Sequence, residues 1–278
     1  MPSYQPVEAL LRGLEVLRVV NRLERASVLE IHRATGLNQP TVVRMLETLI
    51  HAGYVVRQAQ PALYMPTGRT LELSGGYVGH RALSLAASPV MTALGLRLGW
   101  PSDVAVFDGD AMVVAHTSRA EGRFRFERRA GYRAPILATS LGLAFLAFCD
   151  AAQRERALVL AARSPESWNA MAHRPEAASA RFAEIRARGF AVMDDAYAAR
   201  EYAGLASSIG VPVLVEGVAV AALNLMYLRQ AVSAEEAAAR FAPVLREAAA
   251  RIGARVAGGE GAGDGESRHA NFPVGTYK

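Results

Sequence analysis

Thr41, Arg44 and Thr48 recur at spacings of three and four, with Gln39 before them and His51 after. Between them Val42, Met45, Leu46, Leu49 and Ile50 keep a helical apolar spacing. On a helix the apolar set forms one stripe against a core and leaves the polar set on the other face. Short polar side chains and an arginine near a helix N-terminus are what phosphate anchoring and base-edge reading require. A plain helical bundle with a solvated polar face is the other account of them. A second group, Thr139, Ser140 and Gly142, opens the apolar run 141–148. A helix beginning there offers free backbone amides and a positive dipole end to a carboxylate. The structural alternative makes Thr139 or Ser140 only the cap of that helix. Ser208 and Asn224 are polar residues inside two runs that otherwise read as buried strands, where an uncompensated polar group is costly. These groups are equipment for binding rather than for making bonds.

Enzyme chemistry finds little to work with. The sequence holds no Gly-x-Ser-x-Gly elbow, no His-Glu-x-x-His and no lysine before Lys278 to form a Schiff base. His32, His51, His80, His116, His173 and His269 are scattered without ligand spacing. Asp194-Asp195 is a possible carboxylate pair, but a solvated place in a loop explains it more simply. The single cysteine, Cys149, excludes an internal disulfide and a cysteine-built metal site, and its apolar neighbours suit a buried, inert thiol. No cofactor, metal or catalytic residue is expected.

A formal net charge of +5 and a pI of about 9.6 fit a nucleic-acid binder. The 15 residues from Arg119 to Arg133 hold six arginines and two glutamates; a solvated strand face is the expected reading, steering of an acidic effector or contact with DNA the others. A length of 278 residues, 51% of them hydrophobic, suits two domains of ordinary size. No apolar stretch approaches the roughly 20 residues of a membrane span. Nor does a basic segment precede an apolar one at the N-terminus, so a cytoplasmic location is expected.

The elements that position these groups follow from periodicity. Val7, Leu10, Leu11, Leu14 and Leu17 predict an amphipathic helix over residues 7–22. Ser27 caps a second helix over 28–35 that Gly36 stops, and Asn38 caps a third, with Pro40 tolerated in its first turn. Short strands at 54–57 (ending at Arg57) and 63–66 complete a winged helix-turn-helix, its turn holding Gly36. Residues 67–98 read as a helical linker broken at Gly75-Gly76 and Pro89. Beyond Trp100-Pro101, Asp108-Gly109-Asp110 joins a hairpin, and Phe124 and Phe126 alternate with charge as a strand. Helices are expected at 139–148, 151–162 and 176–188, then strands at 205–215 and 218–228. A last helix follows the Ser233/Glu236 capping box. The whole reads as an α+β chain: winged helix at 1–66, linker at 67–98, and an effector domain at 99–257 with helices on one face of an antiparallel sheet. The glycine-rich tail at 258–278 reads as disordered.

This order of pieces resembles the IclR family of transcriptional regulators. The likeness rests on Arg12-Gly13-Leu14, Leu37, Thr41-Val42-Val43-Arg44-Met45-Leu46-Glu47-Thr48-Leu49 and Gly53-Tyr54-Val55. Further along it rests on the run from Gly131-Tyr132-Arg133-Ala134-Pro135 through Thr139-Ser140-Leu141-Gly142, and on Ser208-Ile209-Gly210-Val211-Pro212-Val213. The resemblance implies an operator-binding domain and a GAF-like domain for a small-molecule effector. It also implies assembly into a dimer or tetramer, without a membrane. The DNA-facing set is then Arg12, Ser27, Asn38, Gln39, Thr41, Arg44, Thr48 and Arg57. The effector set is Pro135, Thr139, Ser140, Leu141, Gly142, Ser208, Asn224 and Met226, with Ile136 and Leu223 adding apolar wall. Within the family, Trp100-Pro101-Ser102-Asp103-Val104, Asp110-Ala111-Met112-Val113-Val114 and Leu146-Ala147-Phe148-Cys149 look like members that govern catabolism of aromatic acids. Three residues depart from the family's habit: Pro40 replaces a usual serine, Ser208 a common cysteine, and Asn224 the serine of some members.

Overall fold

The computed structural model describes residues 4–77, 79–118 and 129–259. The strand expected around Phe124 and Phe126, most of the arginine-rich stretch, and the tail beyond 259 lie outside the described residues. The chain forms two units, the first ending at Tyr77, each with a core of its own.

The first unit holds α1 (Glu8–Leu23), α2 (Val28–Thr35), α3 (Gln39–His51), the hairpin β1 (Val55–Gln58) and β2 (Leu63–Pro66), and a 3-10 turn at Gly68–Ser74. Ser27 and Glu30 form a complete capping box on α2, and Gly36 ends that helix at φ 70°. Asn38 Oδ1 accepts from the Thr41 amide at 2.9 Å and starts α3. The hairpin is tied to the helices where Ala26 and Tyr64 exchange backbone hydrogen bonds of 3.0 and 2.8 Å. Its core is Val16, Leu17, Val19, Val20, Ile31, Val42, Leu46, Val55 and Tyr64. Here two expectations change. Of the apolar residues that predicted α1, only Leu17 is buried; Val7, Leu10, Leu11 and Leu14 are exposed. Ile50 of the α3 stripe is also exposed. A core this small covers only the second half of α1, so apolar periodicity identifies the helix without locating its buried segment.

The second unit is a six-stranded antiparallel sheet in the order β5-β4-β3-β8-β7-β6. Its strands are β3 (Ser102–Asp108), β4 (Ala111–Thr117), β5 (Arg133–Pro135), β6 (Ala191–Val192), β7 (Ala206–Val215) and β8 (Val218–Leu228). Helices cover both faces, not one. On one side α4 (Gly79–Leu98) and α9 (Ala234–Ala257) pack on Val104, Val106, Ile209, Val211, Leu223, Leu225 and Tyr227. On the other, α5 (Ser140–Phe148) packs with α6 (Ala151–Ala161) and α7 (Pro175–Arg188) on Ala105, Met112, Val114 and Ala222. Strands buried on both faces carry near-continuous apolar runs, which hides this from alternation counts. The linker expected at 67–98 divides: residues up to Tyr77 lie in the first unit, while α4 contributes Leu83, Ala87, Val90, Met91 and Leu94 to the core of the second. Pro89 sits inside α4 without ending it.

Four described elements had no counterpart in the sequence reading: β5, β6, α8 (Asp195–Tyr202) and a 3-10 turn at Ser167–His173. The Asp194-Asp195 pair stands where the loop enters α8, with Asp195 exposed as expected. Asp194 caps α8 by accepting from the Ala196 and Tyr197 amides, and Asp195 pairs with Arg229. Cys149 closes α5, where burial pushes its thiol up to about 11 and keeps it neutral. Arg133, the last arginine of the basic stretch, pairs with Asp108 and Asp110 at the β3–β4 turn.

Candidate nucleic-acid interface and effector site

The turn that sets α3 against α2 is pinned by side chains. Thr35 Oγ1 donates to the Ile31 carbonyl at 2.8 Å and accepts from the Leu37 amide at 3.2 Å. The imidazole Nδ1 of His32 lies 2.6 Å from the Leu37 carbonyl oxygen. The far end of α3 is held by Arg69, which donates to the Ala52 carbonyl at 2.9 Å and lies over the Tyr54 ring. Thr67 Oγ1 adds a bond to the Gly53 carbonyl at 2.6 Å. Sequence reasoning missed these positioning residues, because none belongs to the helix it fixes.

On the helix so held, Gln39, Arg44, Thr48 and His51 are exposed and Thr41 is half-buried. Arg44 has its guanidinium on the open face; Thr48 Oγ1 donates to the Arg44 carbonyl at 2.8 Å and so braces the helix beneath it. Ser27 and Asn38 have their side-chain oxygens committed to helix caps, which makes them positioning groups. Arg12 is exposed on α1, 3.7 Å from Glu8, and Arg57 is exposed on the first wing strand. The unit thus presents one polar helix face with an arginine in its middle and a second arginine on the wing.

In the second unit, directly opposed residues put Gly210, Asn224, Asp103 and Thr117 in one row across β7, β8, β3 and β4, on the α5 side. Thr117 Oγ1 donates to Asp103 Oδ1 at 2.8 Å, and the Asp103 amide donates to Asn224 Oδ1 at 2.9 Å. Asn224 is fully buried, and its Nδ2 has no acceptor among the described residues. Because the Asp103 amide needs an oxygen, the nitrogen is the end of Asn224 left over. One row along, Ser208 faces Met226, and Ser208 Oγ meets Ser140 Oγ at 2.7 Å.

The start of α5 carries both sequence readings of Thr139. Its hydroxyl accepts from the Gly142 amide at 3.3 Å and donates to the Pro135 carbonyl at 3.0 Å, so it is a cap. The buried amides of Ser140 and Leu141 are left as the open donors of that helix end among the described residues. Met226 and Ile136 are buried on the α5 side, but Leu223 is not with them. It is an odd-numbered neighbour of Asn224 and packs among the α4 and α9 residues, so it forms no wall here.

What the sequence did not reveal is an aromatic cluster beside Met226. Trp168 and Tyr197 pack edge to face with centroids 5.2 Å apart, and Tyr197 meets the Tyr132 hydroxyl at 3.0 Å. Arg200 lies 4.1 Å above the Trp168 ring and pairs with Glu166. The polar row offers a hydrogen-bond donor, and this cluster offers flat apolar surface. No group of three or more His, Cys, Asp or Glu able to hold a metal occurs among the described residues. No described helix is long and apolar enough to cross a membrane.

Comparison with known proteins agrees with both units. Residues 9–59 match the IclR helix-turn-helix domain, and residues 75–254 match the bacterial transcriptional regulator IclR C-terminal domain. The HTH-type transcriptional regulator KdgR of Escherichia coli (strain K12) is 24% identical over 144 residues, 52% of this chain and 55% of KdgR. The chain thus spans about half the length of the curated relatives it matches. An IclR family transcriptional regulator from Brucella abortus is 26% identical, with 90% of this chain and 93% of that one superposed at a TM-score of 0.60. An IclR homolog from Microbacterium hydrocarbonoxydans, complexed with 4-hydroxybenzoate, shares the fold at 23% identity and a TM-score of 0.61, over 90% and 99% of the two chains. These are families of regulators, not of enzymes. The chain, with its helix-turn-helix unit and its α+β unit, belongs to the IclR family of bacterial transcriptional regulators.

Proposed function

We propose that this chain is a ligand-responsive regulator that reads an operator with α3 and binds an aromatic carboxylic acid on the α5 face of its second unit. Gln39, Thr41, Arg44 and Thr48 are the base-reading face, and Arg12 and Arg57 anchor phosphate. The observation that carries the effector reading is the Asn224 Nδ2 donor, buried without an acceptor. Leaving such a group unsatisfied costs about 1–3 kcal/mol, which a ligand oxygen would return. The Ser140 and Leu141 amides offer a carboxylate its donors, and Trp168, Tyr197 and Met226 offer a ring its walls. The sequence likeness of 100–104, 110–114 and 146–149 to the activator of hydroxyphenylpropionate catabolism favours the same class. So does the 4-hydroxybenzoate held by the Microbacterium protein.

Calorimetry on the full chain tests it. Hydroxyphenylpropionate or 4-hydroxybenzoate is expected to bind, and Asn224→Ala and Ser208→Ala each to weaken that binding about tenfold or more, the worth of one buried hydrogen bond to a charged group. Binding of glyoxylate or pyruvate with no response to any aromatic acid overturns the ligand class. Aromatic binding that ignores both substitutions moves the site elsewhere.

The same reading makes the regulator at least a homodimer, since one recognition helix covers only a half-site. Exposed Leu10, Leu11 and Leu14 on α1, with Val7 just before it, support it, because an apolar stripe this continuous marks an association surface. Light scattering is expected to give a dimer or a tetramer at micromolar concentration. A monomer, with and without DNA, contradicts the assembly.

A further inference from the structure

Ser207 and Tyr227 stand directly opposite each other on β7 and β8, on the α9 side of the sheet and so behind the effector site. The two residues are 2% and 1% exposed, with side chains that are not bonded to one another. Both hydroxyls can therefore bond whatever enters from the surface side. Both line a cleft of about 370 Å³ at the end of the sheet. Arg181 of α7 and Arg229 beyond β8 also line it, as do Ser233 and Ala234 at the start of α9. The cap bond from the Glu236 amide to Ser233 Oγ occupies one donor of that helix and leaves the amides before it without an intrahelical acceptor.

We propose that this cleft is a second small-molecule site, distinct from the effector site, which binds a compact organic monocarboxylate with an apolar body. Charge and shape together select that class. Arg181 and Arg229 offer guanidinium forks, each now shared with an exposed carboxylate, Glu184 at 2.8 Å and Asp195 at 2.5 Å. With the helix amides they favour an anion. Asp195 at the rim, and Glu235 and Glu236 in the first turn of α9, oppose a second negative charge. The walls between are Val192, Met193, Val232 and the Tyr227 ring, which suit hydrocarbon. The two hydroxyls then close on the bound carboxylate from below.

The site is independent of the effector reading, and its test keeps the two apart. Benzoate is titrated calorimetrically into the full chain carrying Ser208→Ala and Asn224→Ala, and into the same protein with Arg181→Gln and Arg229→Gln added. Both arginines are at least one-third exposed, so their replacement leaves the core intact. Binding is expected to persist in the first protein, to fall at least tenfold in the second, and to fall likewise in a Ser207→Ala, Tyr227→Phe version of the first. Inorganic phosphate is expected to bind more weakly than benzoate. Absence of binding in the first protein, or binding indifferent to the cleft substitutions, overturns the site. Phosphate binding more tightly than benzoate overturns the ligand class. Failure of the effector site is read separately, from Asn224→Ala in an otherwise unaltered chain.

Discussion

Arg44→Ala is expected to abolish specific operator binding while the fold, the oligomer and effector binding stay as they are. The side chain is exposed in the middle of α3, and what the helix needs at this position is its backbone carbonyl, which Thr48 Oγ1 uses and which the substitution keeps. Alanine is also the best helix former, so α3 loses nothing intrinsic. A good bidentate contact to a base contributes about 1–3 kcal/mol of discrimination. A twofold dimer loses it twice, which makes the affinity loss roughly thirty-fold to ten-thousand-fold at ~1.4 kcal/mol per decade. Gel shifts with the operator and with scrambled DNA of equal length measure this. Binding to the two DNAs is expected to converge in the mutant. An unchanged footprint and affinity sinks the assignment of Arg44 to the DNA face.

How much of this was legible in the sequence varies with the physical cause. Caps were legible because they are local: Ser27, Asn38 and Ser233 each cap the helix that their position before an apolar period predicts, although Glu236 pairs with Arg240 and leaves the expected Ser233 capping box half made. Hairpin turns at Asp108-Gly109-Asp110 and Glu216-Gly217 were legible for the same reason, with both glycines at positive φ. Helix α8 was not. Its eight residues mix alanines, aromatics and charges, with too few turns for a period to emerge, and only the docking of Tyr197 and Ala198 defines it. Nor was the side of the sheet on which Leu223 lies, because β8 is apolar on both faces and alternation carries no sign there.

The proposed effector site divides along the same line. Asn224 and Ser208 stood out as polar residues among apolar ones. Their partners did not, because Asp103 comes from a strand more than a hundred residues away and its carboxylate reads as a surface group until β3 is placed beside β8. Trp168 lies in a 3-10 turn and Tyr132 just before β5, so nothing local announces that they meet Tyr197.

The closest approaches to the described glycines of the second unit are made by backbone, which makes those glycines sensitive to any substitution. A Cβ at Gly210 would stand 2.3 Å from the Ser140 carbonyl oxygen, and one at Gly142 only 2.0 Å from that of Ile136. Neither obstacle is a flexible side chain, so α5 itself has to move for any other residue to be accommodated. Gly210 lies in the row of Asn224, and Ser140 bonds Ser208, so the same displacement pulls apart the donors assigned to the effector. Overpacking of this kind costs about 1–3 kcal/mol and more when backbone must shift. For Gly210→Ala about 3 kcal/mol is expected, a fall in melting temperature of roughly 6–12 °C for a unit of this size. Effector affinity should be lost with it, while operator binding by the first unit, whose core is separate, is retained. Thermal melting and calorimetry on the full-length variant check both halves. A melting point within a degree of the unaltered protein, with the effector still bound, contradicts the tight α5–β7 contact and the site built on it.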